Sequence, residues 1–226
     1  MVGYDKCVST LRQHNAYLRL FVLLLLSISL MTVFGKELQP TKAYAAETKF
    51  DFKIAMHGIG NGGDSANATA SGNIDPHYRQ RTITVSVFNN QNVLAATADF
   101  IVTYDDANGD FRGSIVGSTL PTGAYTISVK ADRYLSAKLP GIQNITAGQD
   151  NQLSPVTMIA GDINADNKID VLDYNILMGC YSDLGPAVSC TDDQKTLSDL
   201  TDDQAVNQFD YNLFIRELGS RSGQSI

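Results

Sequence analysis

The stretch Arg81-Thr-Ile-Thr-Val-Ser-Val-Phe88 alternates polar and apolar side chains from Thr82 to Val87. Ile83, Val85 and Val87 fall on one face of an extended chain, and the two threonines and the serine fall on the other. A period of two with β-branched residues is typical of a strand that buries one face. The stretch therefore predicts a half-buried β-strand.

Similar segments lie on both sides of this stretch. The further strand candidates are residues 50–56, 99–104, 111–116, 123–130, 134–139 and 152–159. Turn signals separate them at Asn89-Asn90, Asn108-Gly109, Pro121-Thr122-Gly123 and Pro140-Gly141. About seven short strands at this spacing predict an all-β antiparallel sandwich over residues 46–158. Residues 60–72, rich in Gly, Asn, Ser and Ala, are predicted to form a mobile loop.

An internal repeat follows the strands. Residues 162–181 match residues 199–218 at an offset of 37, and both copies contain Asp-Tyr-Asn, at 173–175 and 210–212. Each copy is an acidic loop followed by apolar residues at helical spacing, and Thr191 to Gln194 has the form of a capping box that opens a short helix. We therefore predict a multidomain protein whose residues 159–226 form a small all-α domain.

Each loop places oxygen donors at alternate positions. Counted from Asp162 and Asp199, positions 1, 3, 5, 7, 9 and 12 carry side-chain oxygens, or a main-chain carbonyl at position 7. Calcium takes six to eight such oxygens, and a 12-residue loop can wrap it. The predicted ligands of two calcium ions are Asp162, Asn164, Asp166, Lys168 (carbonyl), Asp170 and Asp173 in the first loop, and Asp199, Thr201, Asp203, Ala205 (carbonyl), Asn207 and Asp210 in the second.

The crowded carboxylates predict that metal binding and folding of this segment are one event. Two like charges about 5 Å apart repel by roughly 3 kcal/mol at an effective dielectric of 20. The first loop has one more carboxylate ligand than the second, so the first site is expected to bind calcium more tightly. Ile169 and Val206, at position 8, are expected to pair as a short two-stranded ladder. The alternative reading is a pair of solvated acidic turns.

The segment Gly161-Asp-Ile-Asn-Ala-Asp-Asn-Lys-Ile-Asp170 and its echo 37 residues later resemble a dockerin domain. The resemblance covers residues 159–218. It implies two loop–helix calcium motifs, a cohesin-like protein partner, and a place in assemblies that process polysaccharides. The positions that recognise cohesin in that family, 10 and 11, are Val171-Leu172 and Gln208-Phe209 here, where the family usually has Ser or Thr. The stretch Leu120 to Val129 resembles a strand of carboxypeptidase-regulatory or transthyretin-like domains, which implies a fold only.

The N-terminus predicts export. Lys6, Arg12 and Arg19 precede an apolar run over residues 20–34, and Ala43-Tyr44-Ala45 has small residues at the spacing that a signal peptidase prefers. Residues 1–45 are therefore a hydrophobic signal peptide or a retained anchor helix, and any membrane contact is expected through this segment alone. The rest of the chain is predicted to be secreted or displayed at the cell surface.

Charge and cysteines agree with that location. The leader holds five of the 17 basic and two of the 24 acidic residues, which leaves 12 basic against 22 acidic. A chain that acidic repels nucleic acid and anionic membranes. Cys180 and Cys190 form an even pair and are predicted to form a disulfide, with two free thiols as the alternative. No His follows His77 to complete a zinc site.

No catalytic dyad, phosphate-binding loop or zinc signature occurs in the sequence, so we expect a protein that is not an enzyme. The leading hypothesis is an adaptor that binds a cohesin-like partner through the calcium module. A second hypothesis is a carbohydrate-binding sandwich capped by the calcium domain, with Tyr78, Tyr104, Phe111 and Tyr134 as candidates for stacking on sugar rings. A third is a structural component of a surface layer. His57 and His77 are expected at the surface.

Overall fold

The computed structural model describes residues 47–187, residues 189–219 and Gly223. The described residues belong to one compact unit, and residues 1–45, the predicted signal peptide or anchor, lie outside them. The strands and helices of this part of the chain are β1 (Thr48–Met56), β2 (Gln80–Phe88), β3 (Leu94–Asp105), β4 (Asp110–Ser118), β5 (Gly123–Ala131), β6 (Arg133–Tyr134), β7 (Ala137–Lys138), β8 (Gln143–Ile145), β9 (Asp150–Gln152), β10 (Val156–Met158), β11 (Ala160–Asp162), α1 (Val171–Cys180), α2 (Asp192–Ser198) and α3 (Gln208–Glu217).

The alternating stretch forms β2, as its pattern predicts. Ile83, Val85 and Val87 are buried, while Thr82 and Thr84 are exposed. Strand β5 shows the same alternation and pairs with β2 in an antiparallel register that sets Val85 opposite Val129. The period of two therefore gives the sheet its buried face.

A nine-stranded sheet forms the body of the molecule. Its order is β10-β1-β4-β3-β2-β5-β7, with β8 added to β5 and β9 added to β1, while β11 and β6 form a separate two-stranded sheet. The predicted all-β sandwich fits this mostly-β architecture. The antiparallel expectation is wrong at two pairs, because β9 and β10 both run parallel to β1.

Two predicted strands are broken in the structure. Residues 134–139 divide between β6, which pairs with β11, and β7, which pairs with β5, because the chain changes its partner strand there. Residues 152–159 divide between β9 and β10 around Pro155, which has no N–H to donate to a ladder. Both of these short strands still pair with β1.

The C-terminal segment is helical between its loops. Helix α2 begins after Thr191, whose side chain accepts a hydrogen bond from the Gln194 N–H while Gln194 caps in return, as the capping box predicts. Among the described residues, no helix is both long and apolar enough to cross a membrane. The domain boundary near residue 158 stays a prediction.

The hydrophobic core is continuous between the strands and the loops. One cluster of buried residues contains Ile54 and Met158 from the sheet together with Ile169, Val206 and Phe214 from the repeats. Ile169 and Val206, which were expected to pair as a short ladder, are both buried. Among the described strands no ladder joins them, and the Val206 carbonyl accepts a hydrogen bond from the Ser182 N–H instead. The loops therefore share a core with the sheet.

The loop over residues 58–73 is folded tightly against its surroundings, in contrast to the predicted mobile loop. Main-chain hydrogen bonds join Gly58 to Gly63, Gly60 to Asn73 and Gly72 to Gly60. A Cβ added at Gly72 would lie 2.2 Å from main-chain atoms of Gly58, so this close approach requires glycine. The glycines here serve packing rather than mobility.

Candidate metal centre

The two acidic loops have the same backbone shape. In both, the residues at positions 4 and 6 have left-handed φ angles, which are 63° and 65° at Ala165 and Asn167 and 60° and 74° at Asp202 and Gln204. Position 6 of a calcium loop needs this conformation for its sharp turn, and glycine adopts it most easily. For a residue such as Gln204 the left-handed conformation costs roughly 1–2 kcal/mol. The repeat seen in the sequence is thus also a repeat of backbone geometry.

The position-12 carboxylate accepts hydrogen bonds from the same two main-chain positions in each loop. Asp173 accepts hydrogen bonds from the N–H groups of Asn164 (3.0 Å) and Asp170 (2.9 Å). Asp210 accepts them from the equivalent residues, Thr201 (2.8 Å) and Asn207 (2.9 Å). Each carboxylate is fully buried and ties the start of its loop to the start of the helix that follows.

The side chains at positions 1, 5 and 9 also accept matching hydrogen bonds in the two loops. The position-1 carboxylates of Asp162 and Asp199 accept from the position-6 N–H, and those of Asp166 and Asp203 accept from the position-7 N–H. The position-9 side chains of Asp170 and Asn207 cap α1 and α3. In both loops, side-chain oxygens therefore lie next to main-chain N–H groups of the same loop.

The second loop brings its carboxylates together most closely. One oxygen from each of Asp199, Asp203 and Asp210 lies within 4.8 Å of the others, and no other His, Cys, Asp or Glu group of three among the described residues meets that distance. The Thr201 hydroxyl lies 3.0 Å from Asp210, and the Asn207 amide donates to Asp203 at 3.1 Å. In the first loop, the Asp162 carboxylate instead accepts from Lys130.

Burial disfavours the charge on three of these carboxylates. Loss of solvent raises the pKa of Asp210 to about 6, and it also raises the pKa of Asp173 and Asp199 above the usual value. A divalent cation would favour the ionised form and reverse these shifts. With donors that are all oxygens, the residues present fit a hard cation such as calcium.

Cys180 and Cys190 are joined in a disulfide, with a Cα–Cα distance of 4.8 Å. The bond links the last residue of α1 to the residue that precedes Thr191, the N-cap of α2. It therefore holds together the two ends of the connection between the repeats.

Replacing both cysteines with serine is expected to lower the free energy of unfolding by about 2–3 kcal/mol, because the open chain regains the loop-closure entropy that the disulfide removes. Urea unfolding of the wild type and of C180S/C190S, at equal calcium, measures the difference. A reducing agent should bring the wild type to the variant's midpoint and leave the variant unchanged. Equal midpoints in the oxidised state would contradict the prediction.

The residues at positions 10 and 11 all face solvent. Val171 is 64% exposed, Leu172 54% and Phe209 58%, and Gln208 is exposed as well. Exposed apolar residues further along α1 and α3, Met178 and Ile215, extend the same helices' apolar surface. These side chains are therefore free to contact another molecule.

Most of the aromatic residues considered for sugar stacking are in the core. Tyr104, Phe111 and Tyr134 are buried, and Tyr78 alone of the four is exposed. Tyr104 and Phe111 contact each other edge to face, with ring centroids 5.3 Å apart. This placement removes the row of aromatic residues on which the carbohydrate hypothesis depends.

A buried polar contact anchors the end of α3 to the segment that follows β1. His57 Nδ1 lies 2.8 Å from Glu217 Oε1, and the Ser65 N–H donates to the same oxygen at 3.1 Å. His57 was expected at the surface but is buried, whereas His77 is exposed as predicted. The partners are 160 residues apart, and nothing in the sequence near His57 signals the contact.

Comparison with known proteins gives structural likenesses only. No family model matches the chain, and a search of curated proteins finds no match. Chains from two crystal structures of the type II Cohesin-X-Dockerin complex from Acetivibrio cellulolyticus, a C-terminal and an N-terminal interface mutant, align with TM-scores of 0.46 and 0.47. Both are 17% identical and cover 75% of this chain and 94% of the matched chain.

A leucine-rich repeat protein from Bacteroides thetaiotaomicron aligns with a TM-score of 0.29 and 16% identity, over 50% of this chain and 14% of that one. All of these TM-scores are below 0.5. The function is therefore argued from the residues of this chain.

Proposed function

We propose that this chain is an exported, non-catalytic adaptor that binds two calcium ions and docks onto a cohesin-like protein module. The observation that carries the proposal is the pair of matched loops, in which the side chains at positions 1, 5, 9 and 12 accept the same hydrogen bonds in both copies. Such loops suit calcium because it takes many oxygen ligands in a flexible shell. The ligands are those predicted from the sequence, including the carbonyls of Lys168 and Ala205.

The docking surface in this proposal is the start of α1 and α3. Val171 and Leu172 in the first repeat and Gln208 and Phe209 in the second occupy equivalent positions, in the first helical turn between the position-9 and position-12 side chains. Calcium stabilises the two loops from which these helices start. The mostly apolar side chains suit a partner that buries an apolar patch, because aromatic and aliphatic anchors dominate such interfaces.

An extracellular location supports the same proposal. The Cys180–Cys190 disulfide is a bond that persists in oxidising compartments. Calcium is likewise available to weak extracellular sites at concentrations far above those in the cytosol. The leader over residues 1–45 would bring the chain there, as a cleaved signal peptide or as an anchor.

Two measurements test the metal and the partner separately. Ion counting on dialysed protein should find two calcium ions per chain. Isothermal titration against a panel of cohesin modules should find a binder in calcium and weaker binding of it in a chelator. If no cohesin binds in calcium, the docking claim fails and the metal claim stands. If no calcium is bound, both fail.

The double variant Leu172→Asp/Phe209→Asp is expected to weaken binding of that cohesin by at least 100-fold. Two desolvated charges would replace apolar anchors, whereas the fold should be unchanged because both positions are exposed. Isothermal titration gives the affinity, and the matched control is Ile142→Asp, an exposed apolar residue between β7 and β8. Unchanged binding by the double variant would place the docking surface elsewhere.

A further inference from the structure

We propose that three basic residues of the strands, Lys130, Arg133 and Arg81, hold the two acidic loops in their folded form when no metal is bound. Calcium would then stabilise a preformed segment instead of folding it. The inference rests on the proposed calcium function and deepens it, because it assigns positioning residues outside the loops. It also replaces the expectation that metal binding and folding are one event.

Lys130 acts on the first loop. Its ammonium group, on β5, donates to the carboxylate of Asp162 and to the carbonyl of Tyr134. Asp162 is position 1 of the loop and is fully buried, so this positive charge lies beside a carboxylate that is shielded from water. The main chain supports the contact, because β11 pairs with β6 and the Ser136 N–H donates to Asn167 Oδ1 at 2.7 Å.

The two arginines act on the second loop. Arg133 donates to the carbonyl of Asp199, which is position 1 of that loop, and its Nη2 lies 3.8 Å from Asp202 Oδ1. Arg81 Nη2 lies 2.9 Å from the other oxygen of Asp202. Arg133 and Asp202 are both buried, and both have left-handed φ angles. The ion contacts thus hold two backbone positions that are unfavourable on their own.

Main-chain contacts complete the attachment of the second loop. The N–H groups of His77 and Tyr78 donate to the carbonyl and the carboxylate of Asp202, at 3.0 and 2.8 Å. The Asn73 amide donates to the carbonyls of Thr201 and Asp202, at 2.9 and 3.0 Å. The sheet and its 58–73 loop therefore specify the path of the calcium loop without a metal.

The balance of charges gives the sign of the effect. An ammonium at Asp162 offsets part of the repulsion among the first loop's carboxylates, which stabilises the metal-free loop. The same positive charge repels an incoming calcium ion. Removing it should therefore destabilise the metal-free protein and tighten calcium binding at the first loop.

The test compares the full chain with Lys130→Met, which keeps the length of the side chain and removes its charge. Thermal melting followed by helical circular dichroism is recorded in a chelator and in saturating calcium. We expect the wild type to stay folded in chelator at 25 °C. We expect Lys130→Met to melt at least 5 °C lower than the wild type in chelator, with a smaller difference in calcium. Calcium titration should show one of the two sites bind roughly ten-fold more tightly.

Two further variants keep the test decisive. Lys130→Arg retains the charge and should melt like the wild type in chelator, even if the methionine variant does not fold. Lys195→Met removes an exposed lysine of α2 and should change neither melting temperature nor affinity. If Lys130 only packed against its neighbours, Lys130→Met would lower the melting temperature equally in chelator and in calcium.

The outcomes separate this inference from the proposed function. A wild type that unfolds in chelator at 25 °C and refolds with calcium would overturn the inference and leave calcium binding intact. Equal melting of Lys130→Met and the wild type in chelator would do the same. A wild type that binds no calcium by ion counting would overturn both.

Discussion

Replacing Asp202 with alanine is expected to lower the free energy of unfolding by about 3–5 kcal/mol, because it leaves two arginines buried without their shared partner. Asp202 Oδ2 lies 2.9 Å from Arg81 and accepts from the Tyr78 N–H at 2.8 Å, while its other oxygen faces Arg133. All three side chains are almost completely shielded from solvent. Urea unfolding in saturating calcium measures the loss.

Asp106→Ala is the matched control for this prediction. It also removes an aspartate from an ion pair with an arginine, Arg79, but at the surface. Little change is expected there, because water and salt already screen both charges. If Asp202→Ala unfolded at the same urea concentration as the control, the buried ion contacts would not hold the second loop to the sheet.

The second large effect is expected at Asp210, where Asp210→Asn should remove one of two bound calcium ions. The carboxylate accepts from Thr201 with one oxygen and from Asn207 with the other, and an amide group can accept with only one. The variant therefore loses a hydrogen bond along with the charge that the ion requires. With calcium at about 1,000 times its Kd, the second site's contribution of roughly 4 kcal/mol to the free energy of unfolding should disappear.

Ion counting and urea unfolding with and without calcium measure this change. Asp193→Asn removes an equal charge from the exposed first turn of α2 and should keep both ions. Asp173→Asn is the equivalent change in the first repeat, and it should remove the other ion and leave the second loop loaded. Two ions bound to Asp210→Asn would show that this carboxylate is not a ligand.

The repeat also has consequences for the proposed docking surface. In both repeats the position-9 side chain caps the helix and position 12 completes the capping box. Positions 10 and 11 therefore occupy the same place in the first turn of α1 and of α3. The residues at those positions differ, with Val171 and Leu172 in one copy and Gln208 and Phe209 in the other. A partner that recognises both copies would therefore meet two different surfaces, which is a basis for binding in a preferred orientation.

Features that depend on residues close together in the chain were predicted from the sequence. The burial of Ile83, Val85 and Val87 follows from their alternation, since a strand turns successive side chains to opposite faces. Helix α2 begins where the Thr191 capping box places it. The hydrogen bonds made within each acidic loop span at most ten residues, such as Ile163 to Asp173, so the loop's own sequence supplies both partners.

Contacts between distant segments were decided by the tertiary structure alone. Lys130 contacts Asp162, Arg81 contacts Asp202, and His57 contacts Glu217 only after the fold has brought these distant segments together. The parallel pairing of β1 with β9 and β10 is of the same kind. The alternation along a strand predicts which side chains are buried. Which residue each buried side chain contacts depends on the path of the whole chain. For this protein the sequence determined where the acidic loops are and what they are made of, and the fold determined which charges lie against them.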